Sequence, residues 1–119
     1  MTLEEGAKFD EGKTPFDLWS PDALEATAEV LAFGALKYEA YNWAKGISYR
    51  RVFAALLRHL WAWWRRDTFD EETGLNHLAH AMCCLMFLLH YTWNAEAYTA
   101  FDDRPWYRGV PHEEANRAA

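Results

Sequence analysis

The sequence predicts an all-α fold: a helical bundle of three main helices with an extended N-terminal arm. Three observations carry this prediction. Apolar residues recur at helical spacing in three stretches, capping residues stand at the heads of two of them, and the segments between are polar or turn-like. The 119 residues fit one domain around one core. The expected boundaries are an extended arm over 1–19, a helical core over 20–101 and a tail over 102–119.

The arm contains Gly6, Gly12, Pro15 and several charges without helical periodicity. Ser20 then supplies an N-cap, Pro21 suits the first helical position, and Asp22 complements the helix dipole. Leu24, Ala28, Leu31, Ala35 and Tyr38 follow at steps of four and three, and this stripe is expected to face the core. The pattern breaks over Asn42 to Gly46. Ser48 caps a second helix with a broad apolar face of Val52, Phe53, Leu56, Leu57, Leu60, Trp63 and Trp64, ending near Arg65 and Arg66.

Asp67 to Gly74 reads as an acidic turn, and a third helix is expected from Leu75 through Tyr91 towards Ala100. Two prolines and mixed charge mark the remainder as a tail, pinned by Trp106 or Tyr107. Half the residues are apolar (51%) and 17% are aromatic, seven of them Trp. Three helices are a thin bundle for so much aromatic surface, so a homo-oligomer, a dimer or larger, is expected to complete the core.

Charge and motifs narrow the function. A formal net charge of −6 argues against a nucleic-acid polymer as partner, although a local basic patch can hold a small anion. The polar, acidic N-terminus lacks the basic start and apolar run of an export signal. The apolar run Ala81 to Leu89 is flanked by His77, His80 and His90 and is too short to span a bilayer, so a cytoplasmic protein away from membranes is expected. Adjacent Cys83 and Cys84 point about 100° apart on a helix, which suits reduced thiols better than a bridge. There is no Gly-rich phosphate loop, CxxC, GxSxG, HExxH or His-Asp dipeptide.

Several residues have the chemistry for a site. His77 and His80, three apart, project from one helix face and continue through Cys84, Phe87 and Tyr91 into the interior. Such a pair either chelates a metal or sits partly buried with hydrogen bonds to carboxylates and backbone. Glu25 and Glu29 share an edge of the first helix, where a divalent cation would relieve their repulsion; a solvated edge is the plainer reading. Asp70, with Glu71 and Glu72, brings oxygen ligands towards the imidazoles. Lys37, Tyr38, Asn42, Trp43, Arg58 and His59 offer cations for phosphate, an amide for a base edge and rings for stacking, the set a nucleotide needs. Each also has an ordinary structural reading, as core aromatic, dipole partner or surface charge.

The ordered segments FDEGKTPFDL, FGALKYEAYNWAKG, LLRHLWAWWR and DEETGLNHLAHA resemble the phage and bacterial dATP/dGTP diphosphohydrolase family (N-terminal domain), a MazG-like branch of the all-α nucleoside triphosphate pyrophosphatases. The resemblance runs from about Lys8 to Tyr91. It implies metal-dependent hydrolysis of purine deoxynucleoside triphosphates to the monophosphate and pyrophosphate. In that superfamily, carboxylate pairs from an early and a later helix hold Mg²⁺ or Mn²⁺. By position Glu25 and Glu29 stand for the early pair, spaced four apart where the usual motif has three, and His77 and His80 replace the later one. Nitrogen ligands shift the preference towards Mn²⁺, Co²⁺ or Zn²⁺.

The resemblance further assigns Lys37 and Arg58 to phosphate and Trp43 or Tyr38 with Asn42 to the base; His59, Asp70, Thr73 and Gly74 complete it. The departure from the acidic motif motivates a second reading, a non-catalytic protein that sequesters a nucleotide. A third reading is a structural module that docks a partner through its Trp-rich face.

Overall fold

The computed structural model describes residues 2–105, which hold three α-helices and no strand, so the all-α expectation holds. The expected anchoring by Trp106 or Tyr107 lies outside the described residues. Residues 2–15 are exposed and form neither helix nor strand, with a turn at 11–13 closed by Lys13 N–H donating to the Asp10 carbonyl (2.9 Å), and a 3-10 turn over Phe16–Leu18 leads into the first helix.

Helix α1 spans Pro21–Lys37, α2 Tyr49–Trp64 and α3 His77–Trp93. Each begins where a side chain satisfies an orphan backbone donor. Ser20 Oγ accepts from Ala23 N–H (3.2 Å), Ser48 Oγ from Arg51 N–H (3.4 Å) and Asn76 Oδ1 from Leu78 N–H (2.8 Å). The third helix thus starts two residues later than its periodicity suggests. Leu75 is held in the preceding loop, where its carbonyl accepts from Asp70 N–H at 2.8 Å. It also stops earlier, at Trp93. Asn94 ends it, and the chain turns back through a 3-10 turn over Thr99–Phe101.

Helix α3 is the central element and packs against both other helices. It runs antiparallel to α2, as its two ends show. Tyr49 at the start of α2 stacks on Tyr91 near the end of α3 (5.6 Å, 6°), while His59 meets His77 at the other end. Between them Val52, Leu56, Ala81 and Cys84 close the core. Burying a side chain the size of Val52 or Leu56 contributes about 1.5–3 kcal/mol. The buried thiols are free, and burial pushes their pKa values up to about 12 for Cys83 and about 11 for Cys84.

Helix α1 corrects the expectation. None of its residues is fully buried, and Leu24, Ala28, Ala35 and Tyr38 of the predicted stripe are exposed. Leu31 of the stripe is half-buried as expected, and Ala23, Thr27, Val30 and Gly34 outside it are half-buried too. Thr27 Oγ1 donates to the Ala23 carbonyl (2.7 Å) and lies 3.6 Å from Met82 Sδ, and the Thr27 carbonyl accepts from Cys83 Sγ (3.4 Å). Helix α1 is apolar over most of its circumference, so periodicity does not single out one face. On α2, Val52 and Leu56 are buried, but Phe53, Leu57, Leu60, Trp63 and Trp64 remain exposed.

The segment between α1 and α2 is fixed from behind. Tyr91 Oη donates to the carbonyl of Trp43 and Tyr98 Oη to that of Ala44, both at 2.6 Å. Gly46, at φ 104°, lies so close to Phe101 that a Cβ would fall inside the ring.

Candidate functional site

Antiparallel packing brings His59 of α2 against the first turn of α3, which carries His77 and His80. The two Nδ1 atoms of His59 and His77 are 2.9 Å apart, so one donates to the other. The His59 ring stacks on that of His80 at 4.6 Å and 9°. Burial first, then the neighbouring His80 and His77, pushes the His59 pKa down to about 4, which leaves this imidazole neutral at ordinary pH. His80 is also shifted down, chiefly by burial.

The loop from Asp67 to Asn76 folds back on α3. A lone bridge pairs Phe69 with Asn76, and Asp70 forms a turn in which its Oδ1 accepts from Thr73 N–H at 2.9 Å. Burial pushes the Asp70 carboxyl up, but the Thr73 hydrogen bonds outweigh it and hold the pKa below the ordinary value. Thr73 Oγ1 is 3.1 Å from Asp70 Oδ1 and 2.7 Å from His80 Nε2. With its single proton given to the carboxylate, the hydroxyl accepts from His80 Nε2–H, which fixes that tautomer.

His77 is buried, and its Nε2 makes no hydrogen bond; Asp67 Oδ2 lies 3.7 Å away. An orphan polar atom in the interior is costly and calls for an account. His59, Asp70 and His77 each offer a donor atom within 4.8 Å of the other two, and they are the one such group among the described residues.

His59, Asp70 and His80 also line an open cavity of about 730 Å³ bounded by the end of α1, the segment after it, α2, the acidic loop and α3. Lys37, Tyr38, Asn42, Trp43 and Arg58 line it too, so eight of the residues singled out from the sequence converge on one space. Lys37 forms an exposed ion pair with Glu72 at 2.8 Å, which raises its pKa. Arg58 is exposed and makes no hydrogen bond or ion pair among the described residues. Trp43 is stacked on Phe87 (5.4 Å, 12°) and edge-on to His90 (5.0 Å).

Glu25 and Glu29 are exposed on α1 and belong neither to the cavity lining nor to the donor group. The His59–His77 contact and the role of Thr73 in holding both Asp70 and His80 were not anticipated from the sequence. A histidine inside the apolar run of α2 was the available signal for the first, and the D-x-x-T-G turn for the second.

Fold and site together define an all-α domain with a cavity whose wall carries His59 and Asp70 of the donor group, while His77 lies outside the lining. The family model described as dATP/dGTP diphosphohydrolase, N-terminal, matches residues 3–104, and the chain belongs to this family, as the resemblance of its four segments implied. A dATP/dGTP diphosphohydrolase of Salmonella phage PMBT28 is 39% identical over 114 residues, which is 96% of this chain. The chain spans 38% of the length of that relative. No solved structure matches it.

Proposed function

We propose that the chain carries out metal-dependent hydrolysis of purine deoxynucleoside triphosphates to the monophosphate and pyrophosphate. The observation that carries this reading is the donor group of His59, Asp70 and His77 beside a cavity that also presents Arg58, Asn42 and Trp43. Family membership and the name of the phage relative support it.

The donor set fits a divalent cation. Ligands about 2.1 Å from one ion lie roughly 3.5 Å apart, so three atoms within 4.8 Å need only small side-chain adjustments. A neutral His59 has a lone pair to lend. If His77 coordinates through Nδ1, its proton resides on Nε2, where Asp67 stands ready to accept it; that explains the orphan atom. Two imidazoles with one carboxylate favour Mn²⁺, Co²⁺ or Zn²⁺ over Mg²⁺. When bound, such an ion supplies positive charge for the triphosphate and acidity for a water molecule. Around it, Arg58 neutralises phosphate oxygens, Lys37 serves once Glu72 releases it, and Trp43, Tyr38 and Asn42 take the base. His80 steadies the stacked His59 ring and is itself held by Thr73.

The separation of Glu25 and Glu29 from the donor group favours one competing reading, a protein that sequesters a nucleotide without turning it over. Pyrophosphate release from each dNTP and NTP, measured with Mg²⁺, Mn²⁺, Co²⁺ and Zn²⁺ in turn, separates the two. Metal-dependent release from dATP or dGTP establishes the hydrolase; tight binding with no release under any ion establishes sequestration. The exposed apolar faces of α1 and α2, with Trp61, Trp63 and Trp64 prominent, support a homo-oligomer, and a monomeric mass by light scattering would refute that part.

A further inference from the structure

We infer that Tyr41 is the stacking residue that selects a purine at the aromatic end of the cavity, an inference that rests on the nucleotide reading above. Tyr41 adopts φ 61° and ψ 20°, the left-handed region that disfavours a side chain with a Cβ. Gly or Asn is the ordinary occupant of such a turn. A tilted contact with Trp43 is the one ring contact the tyrosine makes among the described residues. Its side chain is 75% exposed, and its hydroxyl makes no hydrogen bond among the described residues.

The backbone here is over-determined by its neighbours, which is how such a conformation persists. Tyr91 and Tyr98 bind the carbonyls of Trp43 and Ala44, and Gly46 is wedged against Phe101. Strain maintained in this way concentrates at ligand sites. The Tyr41 ring stands 6.4 Å from that of Trp43 at an angle of 49°. Trp43 is immobilised against Phe87, while Tyr41 faces solvent, and both line the cavity. Beside the fixed Trp43 plane, the exposed ring of Tyr41 offers a free face on which a base can stack. Arg58 of α2 lines the same cavity and offers the phosphates a positive charge. A two-ring base offers more surface for stacking than a one-ring base, so this face favours purines.

The test compares binding of α,β-imido-dATP, α,β-imido-dCTP and inorganic tripolyphosphate to the wild-type protein and to Tyr41→Asn and Tyr41→Phe, by calorimetry with Mn²⁺ present. Asn tolerates the left-handed backbone without a ring, and Phe keeps the ring without the hydroxyl. Tyr41→Asn is expected to weaken α,β-imido-dATP about 10-fold, to narrow the gap to the dCTP analogue, and to leave tripolyphosphate unchanged, while Tyr41→Phe binds like wild type. Equal affinity of wild type and Tyr41→Asn for the dATP analogue overturns the inference and leaves the nucleotide reading standing. Parallel loss of tripolyphosphate binding also overturns it, because the residue would then be supporting the site as a whole. Wild-type protein with no affinity for either analogue overturns both.

Discussion

The two ends of the α2–α3 pair use the same antiparallel contact for opposite purposes. At one end Tyr49, Tyr91 and Tyr98 pack into a dry cluster in which Tyr91, fully buried, and Tyr98 give their hydroxyls to backbone carbonyls at 2.6 Å. At the other end three histidines crowd together, one imidazole nitrogen is orphaned, and a carboxylate stands just beyond hydrogen-bond reach. The first end satisfies its polar atoms with what the chain provides, whereas the second leaves one buried imidazole nitrogen without a partner beside a cavity. Polar capacity left over in a buried place is therefore the better guide to chemistry here than helix pattern.

This contrast breaks most visibly at His77. We expect His77→Ala to lower pyrophosphate release from purine dNTPs by about 100-fold or more, and to abolish its dependence on added Mn²⁺. The melting temperature should move by no more than a few degrees, since the substitution also removes the orphan nitrogen. Turnover assays and calorimetry on one preparation decide the matter. Retained turnover would remove His77 from the chemistry, and collapse of the fold would make the histidine end structural after all.

At the dry end the sign of the experiment reverses. Gly46→Ala must place a methyl group where the Phe101 ring already lies, at a φ of 104° that alanine avoids. It should destabilise the chain by roughly 2–4 kcal/mol in urea unfolding, through overpacking and backbone strain together. Phe101 is a flexible neighbour only in principle, because Tyr98 and the 3-10 turn that carries it are themselves packed against the core. A loss below about 0.5 kcal/mol, within the range of ordinary surface substitutions, would mean that the turn after α3 relaxes freely and that the dry end is less rigid than its contacts indicate.

What was legible in the sequence was local. Ser20 with Pro21, and Ser48, announce helix starts because capping depends on residues within one turn, and both cap as expected. Lys37, Arg58 and His59 stood out because cations and a histidine interrupt apolar surroundings, and Tyr38, Asn42 and Trp43 because their rings and amide suit a base. What escaped depends on distant partners. The face α1 turns to α3 is settled by the fit of Thr27 against Met82 and Cys83, and its own pattern is too uniformly apolar to report it. The meeting of His59 with His77 is set by the register of α2 on α3, which no spacing within either helix encodes. Glu25 and Glu29 were picked out by their i, i+4 spacing and by their place in the order of motifs, and neither specifies which way a helix edge faces.

The smallest expected effect probes how the dry end is tied to α2. Asp103 accepts from the Ser48 hydroxyl and from Arg50 N–H at 3.0 Å, so a carboxylate extends the N-cap of α2 from beyond the end of α3. Its negative charge also faces the positive end of the helix dipole. The Ser48 bond first, then that from Arg50, holds its pKa below the ordinary carboxylate value. A carboxyl whose folded pKa is depressed contributes stability that is fully present above its unfolded pKa and is lost as pH falls through the folded one. Asp103→Ala should therefore lower the melting temperature by a few degrees at pH 7, and the gap to wild type should close as the pH drops below about 4. Added salt should narrow it at neutral pH, because the group is exposed. A gap that stays constant with pH would mean that Asp103 acts through packing alone, and the tie between the end of α3 and the start of α2 would then rest on Phe101 and Gly46.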